Sequence, residues 1–118
     1  MPENKDYLNM PDQNGNVHIA EEVVAAIAIG AAKETDGVHA LAPANALPDF
    51  MKKAASRGVR VTAEEDGLVV DLFLVVEYGV VIPDVAAKVQ ASVTSGVEGM
   101  TGCSVGRVNV HVVGVHLD

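Results

Sequence analysis

Residues 59–78 read VRVTAEEDGLVVDLFLVVEY, and the alternation within them decides the fold. Val59 to Ala63 and Leu68 to Tyr78 are rich in β-branched and aromatic residues. The Glu64-Glu65-Asp66-Gly67 between them ends in the Asp-Gly pair that closes hairpins. Successive side chains of a strand point to opposite sides, so Leu68, Val70, Leu72, Leu74 and Val76 share one side. That side is apolar throughout and must meet a core. The other side carries Val69, Asp71, Phe73, Val75 and Glu77, a mixture of apolar and acidic groups. A last strand, Ser104 to Val115, places Val108, Val110 and Val112 on one side. Arg107, Asn109, His111 and Val113 fall on the other.

Two helices supply the cover for the apolar side. The first runs from about Ala20 to Thr35, with Glu21 and Glu22 in the first turn, where carboxylates complement the helix dipole. Val23, Ile27, Gly30 and Ala31 form its apolar stripe at the 3.6-residue period, and Asp36-Gly37 supplies the stop. Gly30 is expected to allow close packing. The second helix opens at Ile82-Pro83-Asp84, with proline suited to the first turn, and ends around Gly99 to Gly102. Its stripe is Val85, Val89, Val93 and Val97 or, drawn wider, Ile82, Ala86, Val89, Val93, Gly96 and Met100. Both helices read as an extended piece, a helix of small residues and a glycine stop before a strand, a weak internal βα duplication.

The remaining segments are short or irregular. Residues 1–14 are polar with two prolines and are expected to be a disordered leader to a single domain spanning 15–118. Val17-His18-Ile19 is a short extended piece, and Val38 to Leu41 a short strand. Ala42 to Lys53 holds two prolines and reads as a loop, closing with a helical turn near Phe50 to Ala55. Two helices can cover only one face of such a sheet. The expected architecture is therefore α+β, two helices packed on one face of a mixed three- to four-stranded sheet. The uncovered face would present Val69, Phe73 and Val75 beside Arg107 and His111, an apolar patch with a polar rim and hence a candidate protein interface.

Composition narrows the function classes. The formal charge is −8, from 16 acidic and 8 basic residues, which repels nucleic-acid backbones and anionic headgroups alike. Lys52, Lys53, Arg57 and Arg60 concentrate half of the cations in one place and read as a solvated loop edge. Trp is absent, and Tyr7, Phe50, Phe73 and Tyr78 are the only Tyr and Phe residues, too few for a base-stacking platform. The longest apolar run, Val23 to Ala32, is too short to span a bilayer, and no export signal opens the chain. The lone Cys103 fits a reducing compartment, and a cytoplasmic location is expected.

No constellation of catalytic residues stands out. His111 and His116 are five residues apart on a strand, so simple alternation sends them to opposite faces, and no zinc or calcium motif accompanies His18 or His39. Cys103 precedes a valine-rich strand and reads as a small packing residue. Glycines fall in no nucleotide-binding pattern. The expectation is a protein that is not an enzyme and uses no cofactor or metal. Gly96-Val-Glu-Gly99 matches the spacing of the loop with which KH-type domains clamp single-stranded RNA, the alternative reading, but it carries a glutamate and lacks flanking cations.

The order of several segments resembles the alkaline shock protein family of envelope-stress proteins from Gram-positive bacteria. They are Gly15-Asn-Val-His-Ile-Ala-Glu-Glu-Val-Val-Ala-Ala-Ile27, Gly58-Val-Arg-Val61, Val69-Val-Asp-Leu72 and Val75-Val-Glu-Tyr-Gly79. Ile82-Pro-Asp-Val-Ala-Ala-Lys-Val-Gln90, Val97-Glu-Gly-Met-Thr-Gly102 and Val108-Asn-Val-His-Val-Val-Gly-Val115 complete the set. Ala20 departs from it, because serine, a helix-capping residue, is usual there. The resemblance implies an abundant cytoplasmic protein with no recognised enzymatic activity, active in envelope or alkaline stress. It further implies binding to protein partners, either further copies of itself in a homo-oligomer or a membrane-anchored protein that recruits it to the membrane. It supplies no active-site residue.

Overall fold

The computed structural model describes residues 7–12, 15–43 and 58–117. Their order is β1 (Tyr7–Asp12), β2 (Gly15–Ala20), α1 (Glu21–Lys33), β3 (Val38–Leu41), β4 (Val59–Glu64), β5 (Gly67–Glu77), α2 (Ile82–Thr101) and β6 (Val105–His116). The basic residues Lys52, Lys53 and Arg57, and the helical turn expected near Phe50, lie outside the described residues. Arg60 lies on β4 with its side chain exposed. Among the described residues no helix is long and apolar enough to cross a membrane.

The eleven-residue β5 is the axis of a mixed four-stranded sheet. β6 runs parallel to it along one whole edge, from Leu68 opposite Val105 to Glu77 opposite His116. Parallel neighbours need a crossover, and α2 supplies it. The other edge of β5 is shared end to end by two antiparallel strands. β4 pairs with Gly67 to Leu72 through the expected hairpin, and β3 pairs with Leu74 to Val76. The changeover falls on Phe73. Its N–H donates to the Gly58 carbonyl at 2.8 Å, and its carbonyl accepts from Ala42 N–H at 2.7 Å. Chain leaving β3 and chain entering β4 therefore almost touch. Gly58 sits at φ +78°, where a Cβ would stand 2.8 Å from the Ala42 carbonyl oxygen, so only glycine fits that corner.

Leu68, Val70, Leu72, Leu74 and Val76 all face the helices and are buried, as alternation requires. Val85, Val89, Val93 and Val97 of α2 close over them, at one residue every four. Each of these valines contributes about 1.5–3 kcal/mol by leaving water. Gln90 ties α2 to β6 by donating to the Val108 carbonyl at 3.1 Å. Gly102 ends the helix in the left-handed region, its N–H returning to the Glu98 carbonyl at 3.0 Å.

The buried stripe of α1 is Val24, Ala25, Ala28 and Ala32, one position round from the expected Val23, Ile27, Gly30 and Ala31. Val23-Val24-Ala25-Ala26-Ile27-Ala28-Ile29 is apolar on every side, so periodicity alone could not select the face. Docking on the sheet selects the flatter alanine side. Gly30 has open space around it; the small residue that approaches the other helix is Gly96 of α2, facing Ile27 and Ala31. Ala20 is the N-cap of α1 and gives it no side-chain hydrogen bond, as its departure from serine implies.

The leader expectation is corrected for residues 7–12. They form β1, paired with β2 from Tyr7 opposite Ala20 to Asp12 opposite Gly15 in a separate two-stranded ribbon. A ribbon of two strands consists only of edges, where a proline such as Pro11 is tolerated. The two helix–glycine–strand units do recur. They nevertheless dock on opposite edges of β5, with β3 antiparallel and β6 parallel to it.

Candidate functional site

The helix-free face of the sheet carries the polar chemistry. Residues paired across β5 and β6 share a face, which sets Asp71 beside Asn109, Phe73 beside His111 and Glu77 beside His116. Asn109 Nδ2 donates to Asp71 Oδ1 at 3.0 Å, and His111 Nε2 lies 3.2 Å from the same oxygen. The His111 ring lies nearly flat on Phe73, with centroids 4.6 Å apart and planes at 12°. Arg107 reaches Glu64 at 3.7 Å, with both side chains in solvent, where such pairs contribute little.

This arrangement brings the expected interface residues together but changes their accessibility. Val69 and Phe73 are only 7% and 2% exposed, so the expected open patch is closed at its apolar centre. Val75 is half-buried, whereas Arg107 and His111 reach solvent. A charge placed at Phe73 would disturb folding before it disturbed a partner.

A second group lies at the end of β5 and was not legible from alternation. His116 Nδ1 stands 3.1 Å from Glu77 Oε1, and His39 Nδ1 stands 3.1 Å from Glu77 Oε2. The two imidazoles stack with centroids 3.7 Å apart and planes at 4°. These hydrogen bonds hold the Glu77 carboxyl below the usual carboxylate range, with His116 the larger influence and His39 next.

Bulges create the cluster. On β6 Leu74 pairs with Val112 but Val75 pairs with Gly114, so Val113 is an extra residue and the alternation restarts after it. His116 consequently joins His111 on the helix-free face, which corrects the expectation of opposite faces. On β3 Val38 pairs with Val76 and Ala40 with Val75, leaving His39 as the extra residue. Gly114, a glycine inside a valine strand, is the sequence sign of the irregularity at Val113, as Gly106 is of a further register shift at the start of β6.

Other surfaces carry less chemistry. A groove of about 400 Å³ between the helices is lined by Ala26, Ile27, Gly30, Ala31, Gly96 and Met100, with Glu34 its charged member. Cys103 is half-buried and packs on the core, in line with its expected role. Gly96-Val-Glu-Gly99 lies inside α2, in helical backbone, so the RNA-clamping alternative has no loop there.

Comparison with known proteins agrees with the resemblance in the sequence. YqhY of Bacillus subtilis (strain 168) is 38% identical over 107 residues, covering 88% of this chain and 79% of that protein. YloU of the same organism is 35% identical over 115 residues, covering 93% and 96%. Spy1535 of Streptococcus pyogenes is 33% identical over 102 residues, covering 86% and 79%. Among solved structures, a variant of the MamM CTD superposes with a TM-score of 0.51 at 15% identity, covering 82% of this chain and 98% of that one. At that identity the likeness is one of fold. Residues 9–117 match the profile of the alkaline shock protein family, described by a cell envelope-related function, and the chain belongs to that family.

Proposed function

We propose that this protein is a non-enzymatic interaction module serving the cell envelope, which associates with further copies of itself or with a membrane-anchored partner that recruits it to the membrane. The outer edge of β6 carries this reading. Among the described residues β6 pairs with β5 alone, which leaves the other edge of a twelve-residue strand without a neighbouring strand. Beside that edge Val113, Val115 and Leu117 are 40%, 50% and 65% exposed. A long edge with apolar side chains and outward backbone donors is a template for adding a strand from another chain. Arg107 and His111 of β6 reach solvent on the helix-free face, with Val69, Phe73 and Val75 of β5 beside the strand on its inner side.

Light scattering of the purified chain at high concentration tests self-association. The expected result is an assembly larger than one chain, returned to a monomer by Val115→Lys with an unchanged far-UV spectrum. A strict monomer indifferent to the substitution removes self-association. If the chain also stays out of the membrane fraction of its native cell, the anchored-partner reading goes with it.

A further inference from the structure

His39, Glu77 and His116 come from three different strands, and two separate bulges are needed to bring them together. Bulges re-aim side chains and are common beside functional sites. The three residues offer one ligand atom each within 4.8 Å of one another. Their side chains are 39%, 44% and 35% exposed, so an ion has a path in and water can complete its shell.

From this geometry we infer a binding site for a single divalent transition-metal ion of the zinc class. Two imidazoles and one carboxylate form a borderline nitrogen–oxygen donor set, which suits zinc and its neighbours over magnesium or calcium. Donors about 2.0–2.1 Å from a tetrahedral zinc stand roughly 3.3–3.4 Å apart. The two nitrogen–oxygen separations here are both 3.1 Å but run to different oxygens of Glu77, and the one-atom-per-residue set spans up to 4.8 Å, so the rings have to turn and close on the ion. Three protein ligands leave the fourth position to water. On binding, each ring gives up its hydrogen bond to Glu77 and turns out of the stack, so that its lone pair points at the ion. Each neutral ring then carries its proton on the nitrogen that the metal does not use. The Glu77 carboxylate supplies the negative charge that attracts the ion.

The second histidine–carboxylate contact, His111 with Asp71, contains two potential ligands and serves as the internal control. The test is calorimetric titration of the tag-free full chain with zinc chloride, alongside nitrogen-15 spectra of its histidine rings. The site predicts saturable uptake of one zinc ion per chain. Uptake is lost in the His39→Gln/His116→Gln double variant and retained in His111→Gln. In the wild-type protein zinc must move the ring nitrogens of both His39 and His116. Absence of saturable binding overturns the inference. So does uptake that survives the double substitution, or binding that leaves the His39 and His116 nitrogens unmoved. The wild-type spectra decide the matter even if the double variant folds poorly.

Discussion

The two faces of β5 are made from the same eleven residues yet behave differently. On the helix side Leu68, Val70, Leu72, Leu74 and Val76 are buried beneath two helices. On the other side Asp71 and Glu77 hold histidines and an asparagine by specific contacts, with Phe73 buried between them. The first face is held by a non-directional force proportional to area, which tolerates many neighbours. The second depends on distances defined to tenths of an ångström, and therefore on strand register. Burial can be anticipated from local pattern; polar organisation waits for the partner strand.

Substitutions on adjacent residues of β5 separate the two kinds of support. Leu72→Ala removes a fully buried side chain from the helix face and should cost about 2–5 kcal/mol in urea denaturation. A loss below about 1 kcal/mol would show that the helix face is not the principal core. Asp71→Ala, on the opposite face, removes the acceptor shared by Asn109 and His111 and should cost about 1 kcal/mol. If it matched Leu72→Ala, the polar ladder would rank with the core.

The smallest effect concerns pH. Because the Glu77 carboxyl is held below its ordinary range in the folded chain, its contribution is present above the unfolded carboxylate value, about 4.3. It is lost as pH falls through the lower folded value. Thermal melts of wild type and Glu77→Gln should therefore differ near neutral pH and converge as pH falls from about 4.3 through the lower folded value. A gap that persisted at pH low enough to protonate the carboxyl would mean that its charge is not what holds the two rings.

Much of the frame was legible in advance because its signals are local. The hairpin at Asp66-Gly67, the valine stripe of α2 and the apolar row of β5 each follow from residues close in sequence. The face of α1 was not, since a helix apolar on all sides has no preferred side until a sheet is offered to it. Nor was β1, because Pro11 and the polar composition of residues 1–14 as a whole outweighed any strand signal. Phe73 lay on the expected side of β5, but its burial could not be read from the alternation that placed it there.

The sequence by itself determined the α+β class, the order of helices and strands in the domain, and which row of β5 enters the core. These follow from periods of two and of 3.6 residues, which backbone geometry imposes on any chain. Tertiary structure alone decided that β3 and β4 share one edge of β5, and that His39, Glu77 and His116 meet at its end. That meeting depends on two extra residues, Val113 and His39, whose effect is to reset alternation against a particular neighbour. A bulge is defined by the pairing of two strands, so it exists only once the sheet has formed.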